Sequence, residues 1–171
     1  MQGLLQIDAN SNKLLNWEVA NDKPTDWFLN PLIISGALSG DMLVIRAGND
    51  ILFKIGEMIG KQAEMYHEKD RVLPIETETT RSYDRELSLE IPDGFEISNL
   101  EDLKMKVELI QDGETDAYFY SDYTITDNKL TVKCTEGYKK LFYPVEKYSE
   151  YVDVINAAAD FNKIVLILKR K

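Results

Sequence analysis

The stretch PVEKYSEYVDVINAAADFNKIVLILKRK, residues 144–171, joins an amphipathic segment directly to a short apolar run. Apolar side chains in its first half recur at the i, i+3, i+4 and i+7 spacing of one helix face, which predicts a helix over residues 145–159. These side chains are Tyr148, Tyr151, Val152, Ile155 and Ala159. The run at residues 164–168 has no polar alternation, so it predicts a central strand covered on both faces. The chain is therefore expected to end in a helix that packs on a sheet.

Upstream of this segment, apolar and polar residues alternate with the period of half-buried strands. The alternation covers residues 83–91, 105–109 and 130–134. The dipeptides Asp112-Gly113 and Asp127-Asn128 are typical of hairpin turns between such strands. The sequence thus predicts a mainly β fold, an antiparallel β-sandwich or meander sheet with one C-terminal amphipathic helix packed on it and a central final strand.

Residues 1–26 have the pattern of an N-terminal hairpin, with strands at residues 4–7 and 14–19 around a turn-forming run at residues 8–12. A polar segment that contains Pro24 separates this hairpin from a β-rich accessory domain over residues 27–171. An isolated two-stranded hairpin could not bury its own apolar residues. The hairpin is therefore expected to dock on the main domain, and the alternative is that it belongs to a neighbouring module.

The net charge of −10 repels phosphate backbones, so nucleic acid is not an expected partner. The longest apolar run, at residues 164–168, is too short to span a bilayer. A single cysteine cannot form an internal disulfide. The first residues lack the basic and long apolar regions of a signal peptide. These features fit either a cytoplasmic protein or a domain excised from a longer secreted precursor.

Three motifs carry a family resemblance: FKIGEMIGKQ at residues 53–62, RVLPIE at residues 71–76, and the helix and strand at the C-terminus. With these motifs, residues 27–171 resemble the C-terminal region of a family of large bacterial proteins, mostly from Gram-negative anaerobes. Those proteins carry a β-sandwich of unknown function, a transglutaminase-like papain-fold core and then a further β-rich domain.

The resemblance implies a non-catalytic C-terminal accessory domain that packs against the transglutaminase-like core or presents substrate to it. The expected partner is this preceding module in the same polypeptide. The expected location is periplasmic or extracellular, as part of a longer precursor. The family's catalytic Cys, His and Asp belong to a segment before the matched region, so no residue of this chain takes their roles.

Cys134 and His67 are the only cysteine and histidine in the sequence. Cys134 is in phase with Leu130 and Val132, which predicts a buried thiol, whereas His67 lies in a polar stretch typical of the surface. A zinc site needs at least three such ligands, and the glycines at 56 and 60 lack the spacing of a phosphate loop. The sequence therefore predicts no catalytic residue, metal or cofactor, and the chain is not expected to be an enzyme. A hydrolase with two facing carboxylates is an alternative, although no spacing identifies the pair.

Aromatic residues crowd two parts of the sequence and are candidate binding residues. They are Trp17, Trp27, Tyr118, Tyr120 and Tyr138. Exposed aromatic side chains on a β-sandwich can bind sugars or peptides by stacking and through their polar tips. Strand alternation places Tyr118 and Tyr120 on one face and Phe119 on the other, so core packing is the alternative role for part of this set. A carbohydrate- or peptide-binding module outside the cytoplasm is accordingly the second hypothesis for function.

Overall fold

The computed structural model describes residues 12–26, 29–66 and 71–171. Over these residues the fold is mainly β, with antiparallel sheets and one α-helix near the C-terminus, which confirms the predicted fold class. The chain divides into two compact units between Ile45 and Arg46. The sequence had suggested a boundary between residues 26 and 27, which lies inside the first unit.

The strands in the described residues are β1 (Asn12–Ala20), β2 (Ile33–Gly40), β3 (Val44–Ala47), β4 (Asp50–Phe53), β5 (Ile75–Glu76), β6 (Arg81–Glu90), β7 (Phe95–Ile97), β8 (Met105–Gln111), β9 (Glu114–Thr126), β10 (Lys129–Tyr138), β11 (Phe142–Tyr143) and β12 (Leu166–Arg170). The α-helix, α1, spans Tyr148–Asn162. The described part of the chain also contains three short 3₁₀ helices, at Ile55–Ile59, Leu100–Leu103 and Val145–Lys147.

The first unit contains the antiparallel pair of β1 and β2, with a register shift at Leu15. β1 covers the strand predicted at residues 14–19, and it pairs with β2. The sequence paired this strand with residues 4–7, which lie outside the described residues. Pairing with β2 depends on a distant segment, whereas the turn-forming residues 8–12 favoured a local partner. Docking of residues 1–26 on the main domain stays a prediction.

In the second unit, four antiparallel strands form a sheet with the order β6-β10-β9-β8. The turns that join β8 to β9 and β9 to β10 have positive φ at Asp112, Gly113, Asp127 and Asn128. Positive φ at both central residues is the geometry of the tight hairpin turn that these dipeptides predict. The inner face of this sheet carries the buried Leu130, Val132 and Cys134, and the opposite face is called the outer face below.

A second four-stranded sheet has the order β3-β4-β12-β7. β12 is antiparallel to both of its neighbours, β4 and β7, so the predicted central position of the last strand is confirmed. This strand begins at Leu166, and the prediction began it at residue 164. The difference arises because α1 continues to Asn162, past its predicted end at residue 159.

The helix α1 packs on the inner face of the β6-β10-β9-β8 sheet. Phe161 contacts Phe119 with ring centroids 5.8 Å apart. Val154 is fully buried, whereas Ile155 of the predicted stripe is only partly buried. One contiguous hydrophobic core contains residues of α1 and of both four-stranded sheets. None of the described helices is long and apolar enough to cross a membrane.

Two asparagines of α1 hold the FKIGEMIGKQ motif and the residues that follow it. The side chain of Asn156 accepts a hydrogen bond from the Met65 N–H and donates one to the Met65 carbonyl, at 2.8 and 3.0 Å. Asn162 donates to the carbonyl oxygens of Gly56 and Gly60. The motif is therefore a structural element that lies against the C-terminal half of the helix.

Candidate binding surfaces

Tyr118 and Tyr120 lie on the outer face of β9, whereas Phe119 between them is completely buried in the core. Side chains two residues apart on a strand share a face, so the strand itself brings the two tyrosines together. Their rings are stacked, with centroids 4.8 Å apart and an interplanar angle of 19°. Both side chains are half-buried, which leaves part of each ring accessible.

Two lysines extend this ring pair at its ends. Lys139 Nζ lies 5.3 Å from the Tyr118 ring centroid, and Lys106 Nζ lies 6.0 Å from that of Tyr120. An ammonium at this distance over an aromatic face is attracted by the ring quadrupole. The Tyr118 ring also covers Gly137 of β10, where a Cβ would come 2.5 Å from the ring. We call these four side chains, Lys106, Tyr120, Tyr118 and Lys139, the tyrosine stack.

Glu108 of β8 accepts a hydrogen bond from the Tyr120 hydroxyl. This bond lowers the pKa of the Glu108 carboxyl. Burial, and then the bond to Glu108, raises the pKa of Tyr120 to about 12. Tyr120 therefore stays protonated at neutral pH. The tyrosine stack presents hydroxyl and ammonium groups beside two aromatic rings, and Glu108 adds a carboxylate next to it.

Tyr138 lies on the opposite, inner face of the sheet, where it is buried. Its ring is tilted against that of Tyr151, with centroids 5.6 Å apart, and its hydroxyl donates to Glu136. The buried Glu136 also pairs with Arg85, at 3.0 Å between Nη1 and Oε2. Burial raises the pKa of Tyr138. The structure thus places Tyr138 in the core and separates it from Tyr118 and Tyr120.

The β1–β2 pair has one apolar face, which we call the hairpin face. Its side chains are brought together by cross-strand pairing and are Leu14, Trp17, Val19, Ile34 and Leu38. The opposite face is mostly polar, with Ser39 across from Lys13 and Ser35 across from Glu18. On the hairpin face Trp17 is 55% exposed, Leu38 46% and Ile34 42%. The other candidate tryptophan, Trp27, lies outside the described residues.

A family model for a domain of unknown function with a solved structure, DUF3858, matches residues 50–168. The chain belongs to this family. No curated protein and no solved structure matches the chain at a significant level. The DUF3858 match contains the tyrosine stack and α1, and the hairpin face precedes it.

The single cysteine of the DUF3858 region, Cys134, is completely buried. Burial raises the pKa of its thiol to about 12, although the nearby charge of Arg85 opposes this. A thiol that stays protonated is a poor nucleophile. His67 lies outside the described residues. Within residues 12–26, 29–66 and 71–171, no three His, Cys, Asp or Glu side chains are grouped closely enough to hold a metal ion.

Residues 81–86, which form the first half of β6, were not among the candidate binding residues predicted from the sequence. In the structure the Arg81 guanidinium lies 4.4 Å from the Tyr138 ring centroid, and that of Arg85 lies 4.8 Å from the Tyr83 centroid. The signal was present in the sequence RSYDRE, because alternation places its basic and acidic residues on opposite faces of a strand.

Proposed function

We propose that this chain is a non-catalytic accessory domain that works through protein contacts, and that its hairpin face makes them. Soluble proteins rarely leave a contiguous apolar face exposed unless it is an interaction surface. A two-stranded pair cannot bury such a face by itself. The single observation that carries this proposal is the exposure of Trp17, Ile34 and Leu38 on one side of the β1–β2 pair.

The proposed partner is a transglutaminase-like core in the same polypeptide, outside the cytoplasm. The resemblance of the three sequence motifs supports this partner. An aromatic anchor flanked by aliphatic side chains is the composition that commonly dominates the energy of protein interfaces. Trp17 between Leu14 and Val19 has this composition. The accessory domain then positions the core or presents substrate to it.

The test is the binding of the full chain to a transglutaminase-like module from the protein family that the three motifs resemble, measured by biolayer interferometry. Trp17→Glu and Ile34→Asp place charges on the hairpin face. Loss of an interface anchor costs about 2 kcal/mol or more, so binding should weaken by at least about 30-fold.

The matched control is Ser39→Asp, which adds a charge to the opposite face of the same pair, across from Lys13. It should change the affinity by less than about twofold, since it lies outside the apolar contact. Absence of binding by the unmodified chain, or an equal loss in Ser39→Asp, would count against the proposal.

A second function is favoured by the stacked rings of Tyr118 and Tyr120, which suit binding of a carbohydrate or a peptide. Lysines lie over both ends of the ring pair, so a ligand would displace an ammonium from a ring face or bind at the ring edges and hydroxyls. Acidic sugars fit this arrangement, because they can pair with the displaced ammonium.

A glycan and peptide array with the full chain tests this second function. Tyr118→Ala should lower the affinity for any ligand found by about tenfold, which is the usual effect of losing one aromatic stacking contact. Thr131→Ala, also on the outer face, is the control and should bind as the parent does. If a ligand binds Tyr118→Ala with unchanged affinity, its binding site does not include the stacked rings.

A further inference from the structure

One edge of the β6-β10-β9-β8 sheet is the strand β6, whose described pairing is with β10 alone. The first half of this strand is exposed at residues 81–84 and again at Glu86. An exposed sheet edge presents backbone N–H and C=O groups that can bond to an added strand. Such an edge is a possible recognition surface for an extended peptide.

A single backbone bond shows which residues point outward at this edge. The Ile91 N–H donates to the Asn128 carbonyl at 2.9 Å. This pair continues the register in which Glu90 faces Lys129, so it is a hydrogen-bonded pair of the antiparallel ladder. Such pairs alternate with pairs that lack direct bonds. The odd-numbered residues of β6 therefore bond to β10, and the backbone groups of the even-numbered residues point away from the sheet.

Side chains along this edge are sorted by charge. The inner face carries Arg81, Tyr83 and Arg85, and the outer face carries Ser82, Asp84 and Glu86. Arg85 already pairs with Glu136 at 3.0 Å, and Glu86 with Lys133 at 3.7 Å. No salt bridge joins Arg81 or Asp84 to another described residue. Arg81 contacts the Tyr138 ring at 4.4 Å and donates a hydrogen bond to the Tyr151 side chain, but it has no carboxylate partner among the described residues. The inner face thus carries one cation without a described carboxylate partner, and the outer face carries one carboxylate without a described cationic partner.

We propose that residues 81–86 bind an extended peptide segment as an added strand, and that this segment carries acidic side chains on one face and basic ones on the other. Backbone bonds to Ser82, Asp84 and Glu86 provide affinity for any extended chain. Opposite charges across neighbouring strands then select the sequence, with a carboxylate beside Arg81 and a cation beside Asp84. Tyr83, 43% exposed, adds aromatic surface next to the peptide.

A second copy of this chain does not fit the same edge. Antiparallel pairing of two β6 edges in one continuous sheet places their inner faces side by side. The basic residues Arg81 and Arg85 would then share one face with the same residues of the other copy, and the acidic Asp84 and Glu86 would share the opposite face with theirs. Like charges opposite one another are destabilising. The charges that prevent self-pairing therefore leave the edge open to a complementary strand.

The binding test uses three fluorescent peptides on one Thr and Val scaffold, each matched to the ten residues of β6. The first alternates Glu and Lys between its two faces, the second has Glu on both faces, and the third has Lys on both. The Glu and Lys peptide should bind at least about tenfold more tightly than the other two, the effect of roughly 1.4 kcal/mol. Equal affinities, or strongest binding by the peptide with Glu only, would overturn the proposal.

Two variants of the full chain locate the site. Asp84→Pro removes an outward N–H and keeps the bonds to β10, as proline at an edge strand can. It should bind the Glu and Lys peptide at least about tenfold more weakly than Asp84→Ala, which loses the charge alone. Equal binding by these two variants would contradict an added strand.

Arg81→Glu keeps the proposal testable if proline disturbs the strand. It should weaken binding of the Glu and Lys peptide by about tenfold at a temperature where the variant is folded. Loss of the Arg81 contact with the Tyr138 ring, at 4.4 Å, should lower the melting temperature of the variant. Trp17→Glu on the hairpin face should not change the affinity for this peptide. Failure of the proposed function can therefore be distinguished from failure of this proposal. If the full chain forms a dimer and Arg81→Glu abolishes it, a second copy of the chain and not a peptide occupies this edge, and the proposal is wrong.

Discussion

Gly56 lies where the backbone of the FKIGEMIGKQ motif approaches the last turn of α1. A Cβ at this position would overlap the carbonyl oxygens of Phe161 and Asn162. Backbone atoms cannot rotate away, so Gly56→Ala should lower the free energy of unfolding by about 3 kcal/mol. Urea denaturation measures this change. Gly94→Ala is the control, because its Cβ meets open space and only its positive φ costs about 1 kcal/mol. Equal losses in the two variants would show that the contact is unimportant.

Cys134 should be inert in the folded protein. Its thiol is completely buried and its pKa is raised to about 12, so both access and thiolate are lacking at neutral pH. We expect a colorimetric thiol reagent to label the native chain far more slowly than the chain in guanidinium chloride. Rapid stoichiometric labelling of the native protein at pH 7 would contradict burial of this residue.

Residue environments were predictable where strand alternation decided them. The buried Cys134 and the shared face of Tyr118 and Tyr120 both follow from this period. The burial of Tyr138 was not recognised, although this residue is in phase with Cys134 on β10. The need for glycine at 56 was out of reach, because it depends on an approach between segments about a hundred residues apart, as the hydrogen bond from Asn162 to the Gly56 carbonyl shows.

At the level of elements, α1 should be most sensitive on the side that contains Val154. This residue is completely buried, whereas Ile155 is only partly buried. An unpaired carboxylate in the core costs several kcal/mol, so Val154→Asp should unfold the second unit at room temperature. Ile155→Asp should lower the melting temperature and leave the unit folded, and the exposed Asp153→Asn should have little effect. Circular dichroism melts distinguish the three, and a folded Val154→Asp would contradict the packing.

Buried tyrosines on the strands and the helix predict that the folded protein loses stability at alkaline pH. Burial raises the pKa of four tyrosines, Tyr120, Tyr138, Tyr143 and Tyr151. Between the ordinary pKa of 10.0 and the folded value of about 12 for Tyr120, the unfolded chain has lost a proton that the folded chain retains. Stability is therefore complete below pH 10 and falls as pH rises through this window. Chemical denaturation at stepped pH should show the decline, and Tyr120→Phe should reduce its slope; an unchanged slope would contradict the burial of this hydroxyl.

Element order was predictable as far as local signals extend. The turns at residues 112–113 and 127–128 gave the β8-β9-β10 meander, and the apolar run gave the central β12. The pairing of β1 with β2 was not predicted, because the turn-forming residues 8–12 favour a nearby strand while β2 is more distant along the chain. Pairing between distant segments is determined by side-chain packing that a local pattern does not contain.

The two units are expected to contribute differently to the stability of the whole molecule. The contiguous core is built from residues between Ile51 and Leu168, nearly the same range as the family match at 50–168. A chain that begins at Asp41 keeps β3 and loses the β1–β2 pair. If β1 and β2 serve the proposed contact surface, its melting temperature should lie within about 2 °C of the full chain, a change of well under 1 kcal/mol. Calorimetry of both chains measures this difference.

The same shortened chain separates stability from binding. It should lose affinity for the transglutaminase-like module, because the hairpin face is gone, and it should still bind the Glu and Lys peptide, because β6 is intact. Docking of the hairpin on the main domain, which the apolar pattern of the sequence predicts, would instead lower the melting temperature by several degrees, since about 1 kcal/mol corresponds to a few degrees in a domain of this size. In that outcome the apolar residues of β1 and β2 serve folding, and the proposed contact surface must lie elsewhere.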